Sequence, residues 1–193
     1  MKFALQDLGY KNVYHMTETF SQPGHPEQWI RALNAKYSPS TSPPFTNEDW
    51  DNLLGSYSVH LAYFPPMLIS LSSTSPTCTN THQAVTDFPS ACFTSELLTH
   101  YPTAKIILTT RPTHLWHTSI LSTIHALHSS PLDRFFLLFR STHTKSLSKL
   151  WSLIVQYYFK GSIVLYGKEV FEEHNQMVRD LAKKNEREFL EFR

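Results

Sequence analysis

Residues 84–119 read AVTDFPSACFTSELLTHYPTAKIILTTRPTHLWHTS, and short apolar runs alternate there with helical spacing. The stretch predicts strand, helix, strand, helix. Val85–Phe88 is a short run stopped by Pro89. Cys92, Phe93, Leu97 and Leu98 share one helical face over Cys92–Tyr101, and Pro102 forbids the next turn because it has no amide proton. Ile106, Ile107 and Leu108 form a β-branched apolar run, the pattern of a strand covered on both faces of a parallel sheet. This is one βαβ unit. Pro112 then suits the first turn of a helix carrying Leu115, Trp116 and Ile120. The fold class that follows is α/β, a three-layer α/β/α domain with a mainly parallel sheet of strands near 13–16, 85–88, 106–110 and 188–192.

Arg111 falls at the carboxyl end of the second strand of this unit, at the mouth of the next helix. Ligands of open α/β sheets bind off those strand ends, and helix N-terminal amides add donors for an anion. Ser119 lies two turns into the helix, too far to cap it, where its hydroxyl can join Arg111 on a ligand lying along the helix. Spacing leaves two readings open. Arg111 either binds an anion or pairs with a carboxylate, and Asp87, at the end of the preceding strand, is the nearest candidate partner. Asp87 has the same two readings: a cap or ion-pair partner, or a partly desolvated base with a raised pKa.

The arginine with a serine eight residues on resembles the nucleotide-binding region of the P-loop sulfotransferases, where that pair holds the 3′-phosphate of the sulfate donor. Val85-Thr86-Asp87-Phe88-Pro89 stands where the cytosolic enzymes carry Lys-Thr-His-Leu-Pro, so Asp87 occupies the position of the catalytic base. The runs GYKNVYHM, AVTDFPSACF and GKEVFEEHNQMVRDLAKKNEREFLEFR resemble a fungal sulfotransferase-like family in which aspartate at that position is usual. The resemblance covers most of the chain outside 56–83. It implies transfer of a sulfuryl group from 3′-phosphoadenosine 5′-phosphosulfate (PAPS) to a small-molecule hydroxyl, with Arg111 and Ser119 binding the nucleotide and Asp87 as base. It also implies a first strand and a glycine-rich phosphate loop ahead of the opening helix, and a helical segment after Arg193. No Gly-x-x-x-x-Gly-Lys-Ser/Thr loop occurs in the 193 residues. The expectation is a chain truncated at both ends, and two alternatives to the transferase stand beside it: an inactive remnant or binding protein, and a different biosynthetic reaction on the same fold.

The 193 residues suit a single domain. Seventeen basic against sixteen acidic residues, without a basic block, argue against a nucleic-acid binder. No apolar stretch is long enough to span a membrane, Cys78 and Cys92 lie in dissimilar contexts, and MKFALQDLGY lacks a signal peptide's apolar core. A cytoplasmic location is the default. Before the central unit the pattern predicts a helix over 2–8, a helix over 26–37, a Pro/Ser/Thr linker over 38–46 and a short helix capped by Asn47 and ended by Gly55. Residues 52–86 contain no Asp, Glu, Lys or Arg, a sharp change in texture from the chain on either side. Within them, residues 58–83 match nothing in the family pattern and read as a disordered, dispensable insertion.

After the central unit, helices are expected over 133–139, 146–159 and 168–185, with Gly161 and Gly167 bracketing a break. Eleven histidines invite a metal reading, and His114, His117, His125, His128 and His143 are the densest. None has a Cys, Asp or Glu at zinc spacing nearby, so no metal is expected. Cys92 reads as a core residue, and His174-Asn175 as equally placed to line a cleft or face solvent.

Overall fold

The computed structural model describes residues 2–10, 13–54, 68–71, 83–126 and 142–193. These divide into two compact units, Met1–Glu18 with Thr46–Arg111 and Glu173–Arg193, and Thr19–Phe45 with Pro112–Glu172.

The first unit holds a five-stranded sheet. Its strands are β1 (Val13–Tyr14), β2 (Leu68–Leu71), β3 (Gln83–Val85), β4 (Lys105–Thr109) and β5 (Phe189–Phe192), in the order β1-β3-β2-β4-β5. β1 runs parallel to β3, and β4 parallel to β5 with Ile106 opposite Phe189. β2 is antiparallel to both β3 and β4. Two strands antiparallel to a common neighbour run the same way, so β1, β3, β4 and β5 present their carboxyl ends at one edge. The four strands expected from sequence are present with small shifts and run the same way, but the sheet is mixed rather than mainly parallel, because two of its four pairings are antiparallel.

β2 is the departure. It comes from within 58–83, the stretch expected to be a dispensable insertion, and it fills the slot between β3 and β4 that would otherwise leave two facing strand edges unpaired. The rest of 58–83 lies outside the described residues. Period and charge did not mark 68–71 as a strand because a strand in mid-sheet is fixed by the edges on either side of it, and those are far away in sequence.

Helices α1 (Lys2–Asp7) and α4 (Asn47–Leu54), a 3-10 turn (Ser90–Phe93) and α5 (Thr94–His100) also belong to this unit. Leu5 packs with Val13 and Ala84 into a buried cluster flanked by Tyr10 and Ile107. Trp50 meets the edge of Phe93 at 5.2 Å between ring centres. The cap of α4 is Thr46, not Asn47: the Thr46 amide donates to Asp49 Oδ2 at 2.8 Å and the Asp49 amide donates back to Thr46 Oγ1 at 3.3 Å. α5 ends at His100, two residues before Pro102, as a proline stop requires.

In the second unit α3 (His25–Tyr37) starts with Pro26 in its first turn and buries Trp29 and Leu33, each worth about 1.5–3 kcal/mol of apolar transfer. α6 (Thr113–Ile120) runs into a π turn over Leu121–His125, and α7 (Thr142–Leu153) into another over Ile154–Tyr158. Tyr157 stacks on Tyr37 at 5.0 Å and its hydroxyl bonds Ser38 Oγ at 3.1 Å. The helix expected over 133–139 lies outside the described residues.

α8 spans Ile163–Lys184, beginning five residues before the expected start. Gly161, at φ 89°, does break the chain. Gly167 does not. It lies inside α8, where a Cβ would stand 3.0 Å from His117 Cδ2 and 3.2 Å from its Nε2. Close approach of the His117 ring, rather than a turn, is what requires glycine there.

Candidate functional site

Pairing of β1 with β3 sets the site. Tyr14 lies opposite Val85, and the Thr86 amide donates to the Tyr14 carbonyl at 2.8 Å, so the chains leave the sheet side by side and deliver His15 and Asp87 off adjacent carboxyl ends. Asp87 is 2% exposed and takes the left-handed conformation, φ 74°, that favours Asn, Asp and Gly. Its Oδ1 accepts the Phe88 amide at 2.8 Å, and its Oδ2 stands 3.4 Å from His15 Nε2. Burial pushes the Asp87 carboxyl well above the usual carboxylate range, against a smaller downward pull from the Phe88 amide. Thr86 and Ser90, on either side, are fully buried, and neither hydroxyl has a hydrogen-bond partner among the described residues.

His15 is also the residue from which α2 (Met16–Ser21) starts. Its Nδ1 accepts the Thr17 amide at 3.2 Å, and the His15 amide donates to Glu18 Oε2 at 2.8 Å. Lys2 pairs with the other oxygen of Glu18. Burial holds the imidazole pKa below its ordinary value, with Glu18 raising it and Lys2 lowering it by smaller amounts. Sequence reasoning missed His15. The available signal was the acid three residues on, Glu18, which with His15 makes a capping-box pattern.

Arg111 follows β4 and is half-buried. Thr110, just before it, ties this strand end to β5 through its amide and hydroxyl, both donating to the Phe192 carbonyl at 2.6 and 3.0 Å. Among the described residues the side-chain partners of Asp87 are the Phe88 amide and His15, so the Asp87–Arg111 pair, one of the two sequence readings, is not seen. The reason is topological: β2 stands between β3 and β4, and β1, with His15, is the strand beside β3. Ser119 is a half-buried residue of α6 in the second unit, its carbonyl accepting the Thr123 and Ser122 hydroxyls at 2.7 and 3.1 Å.

The other sequence candidates have structural places. His117 Nε2 lies 2.9 Å from the Ile163 carbonyl and His143 Nε2 2.6 Å from the Phe20 carbonyl. His174 and Asn175 are buried, at 7% and 2%, rather than facing solvent, and Cys92 is buried, as expected of a core residue. A groove of about 380 Å³ is lined by Tyr10, Lys105, Ile106, Ile107, Glu188, Phe189 and Leu190. It opens near the amino-terminal starts of β4 and β5, away from the strand ends that carry His15 and Asp87. Among the described residues no helix is long and apolar enough to cross a membrane.

The sequence model of the family described as "Sulfotransferase domain" matches residues 1–193. The chain belongs to the sulfotransferase domain family. This sulfotransferase domain is also 29% identical over 188 residues to the "Ava biosynthesis cluster protein M" of Aspergillus versicolor, a match taking in 94% of this chain and 62% of that relative. The chain therefore spans less than two thirds of that relative's length.

Proposed function

We propose that this sulfotransferase domain carries out sulfuryl transfer from PAPS to the hydroxyl of a small molecule in fungal secondary metabolism, with Asp87 as the base and Arg111 with Ser119 on the donor's 3′-phosphate. The observation that carries the reading is the position of Asp87: a buried carboxyl held off the carboxyl end of a parallel strand, with His15 against it. Family membership and a relative named for a biosynthesis cluster favour this chemistry, and the P-loop, three-layer form of the fold belongs to the same proposal.

PAPS supplies an electrophilic sulfur and a phosphate leaving group. Asp87 takes the acceptor's hydroxyl proton as the acceptor oxygen bonds sulfur, while the bond from sulfur to the donor's phosphate oxygen breaks and its electrons leave on that phosphate. A carboxylate with a raised pKa is a stronger base than an exposed one, which is what burial contributes here. Each residue by itself suits a phosphate chemically: Arg111 brings a fixed positive charge and Ser119 a hydroxyl.

Burial of Asp87 favours a second reading as well. A carboxyl kept protonated can donate, which suits an acid-catalysed dehydration or cyclisation on the same fold. Calorimetric titration with adenosine 3′,5′-bisphosphate separates the two. A phosphate contact contributes about 1.5–3 kcal/mol, so Arg111→Ala weakens binding roughly ten- to a hundredfold. Unaltered nucleotide affinity in a destabilised Arg111→Ala protein would return Arg111 to a structural role and favour the second reading.

A further inference from the structure

The start of α2 fixes which nitrogen of His15 carries its proton. The Thr17 amide can only donate, and it points at His15 Nδ1 from 3.2 Å, so Nδ1 presents a lone pair. A neutral ring then carries its proton on Nε2, the nitrogen facing Asp87 Oδ2 at 3.4 Å. The backbone holds the residue from the other side: Glu18 Oε2 accepts the His15 amide at 2.8 Å and the Thr17 hydroxyl at 3.0 Å, and Lys2 pairs with Glu18 Oε1. The ring is thus clamped by a reciprocal cap, with Nε2 3.4 Å from a buried carboxyl oxygen.

We infer that His15 is a positioning residue for Asp87: a neutral imidazole locked as its Nε2–H tautomer, which orients the carboxylate and supports its charged form without itself carrying the proton of the reaction. This rests on the proposed role of Asp87 as the base. Protonating the ring would put a second N–H at Nδ1 against the Thr17 N–H and abolish the cap, so the lone pair that a histidine base needs is already committed. Among the described residues, the charged and titratable groups facing the ring are Lys2 from α1, Glu18 from α2 and Asp87 beyond β3. Burial, the largest influence, also favours the neutral ring. The contact with Asp87 exceeds the roughly 2.7–3.2 Å of a well-formed N–H···O bond, and such contacts in ligand-free sites tighten when substrate excludes water. In this arrangement Asp87 moves the proton, and His15 sets where the carboxylate points.

Nuclear magnetic resonance of the 193-residue chain tests this without any turnover. Long-range proton–nitrogen correlations of the wild type are expected to show His15 with a bare Nδ1 and a protonated Nε2 at neutral pH and above. His15→Asn is the informative variant, because asparagine caps helices well but is too short to reach Asp87. Losing the N–H beside Oδ2 disfavours the charged carboxylate, so the Asp87 carboxyl midpoint in His15→Asn is expected to move up. Circular dichroism of this variant should match the wild type. A His15 ring protonated on both nitrogens at neutral pH, or an Asp87 midpoint unmoved in folded His15→Asn, overturns the inference. Should the tautomer and the shift both be found while no sulfuryl transfer is detected, the positioning role stands and the proposed reaction alone falls.

Discussion

Replacing Asp87 by asparagine and by alanine separates what its backbone needs from what its charge does. Asparagine tolerates the left-handed conformation at φ 74° and keeps an oxygen to accept the buried Phe88 amide. Alanine does neither. It meets roughly 1–2 kcal/mol of left-handed strain and leaves the Phe88 amide unsatisfied at about 1–3 kcal/mol, so Asp87→Ala should lie about 2–5 kcal/mol below Asp87→Asn. At about 2–4 °C per kcal/mol for a chain of this size, the two variants should melt roughly 4–20 °C apart.

Charge adds a pH dependence of definite sign. The folded pKa of Asp87 lies above the unfolded value near 3.8, so folding takes up a proton between those values and wild-type stability falls as pH rises through that window. His15 works oppositely. Its folded pKa lies below 6.5, so folding releases a proton below 6.5 and that contribution is lost as pH falls toward the folded value. Asp87→Asn removes the first effect and keeps His15, at the cost of placing its amide nitrogen near His15 Nε2, a contribution that does not change with pH once the ring is neutral. The stability of Asp87→Asn relative to wild type should therefore rise as pH climbs above about 4, read by thermal melts in matched buffers. Equal melting of the alanine and asparagine variants would refute the backbone argument, and a flat difference between asparagine variant and wild type would refute the raised carboxyl.

Gly167→Ala drives a methyl into the His117 ring; overpacking of about 1–3 kcal/mol outweighs the roughly 1 kcal/mol that alanine adds in a helix, so the melting temperature should drop by a few degrees. In a His117→Ala background the same change should stabilise, and a double-mutant cycle without that reversal would remove the close-approach account of Gly167. Joining Tyr57 to Gln83 deletes β2 and leaves β3 and β4 with open edges, so the shortened protein should lose soluble yield or melting temperature. An undiminished melt would instead support the expectation that 58–83 is dispensable.

Local rules carried much of the fold. The apolar run over 106–108 became β4, with Ile106 and Leu108 buried, and Pro102 and Gly161 ended helices through their own backbone chemistry. What stayed hidden depends on distant partners. β2 exists as a strand because of the two edges it joins, Gly167 is glycine because of a ring on α6, and His15 matters because strand pairing sets it beside Asp87, far along the chain. Asp87 was legible as a candidate from its position after a strand and before a proline. Its partner was not, since the sequence suggested Arg111 and the strand order chose His15.

The central claim, that Asp87 is the base of a sulfuryl transfer, is tested most directly by incubating the protein with radiosulfur-labelled PAPS and a panel of small phenols and alcohols. Wild type should give a labelled sulfate ester, and Asp87→Asn, folded and with unchanged affinity for adenosine 3′,5′-bisphosphate, should lose roughly a hundred- to ten-thousandfold in rate. Absence of labelled product from the wild type, or product formed by Asp87→Asn at the wild-type rate, would contradict it.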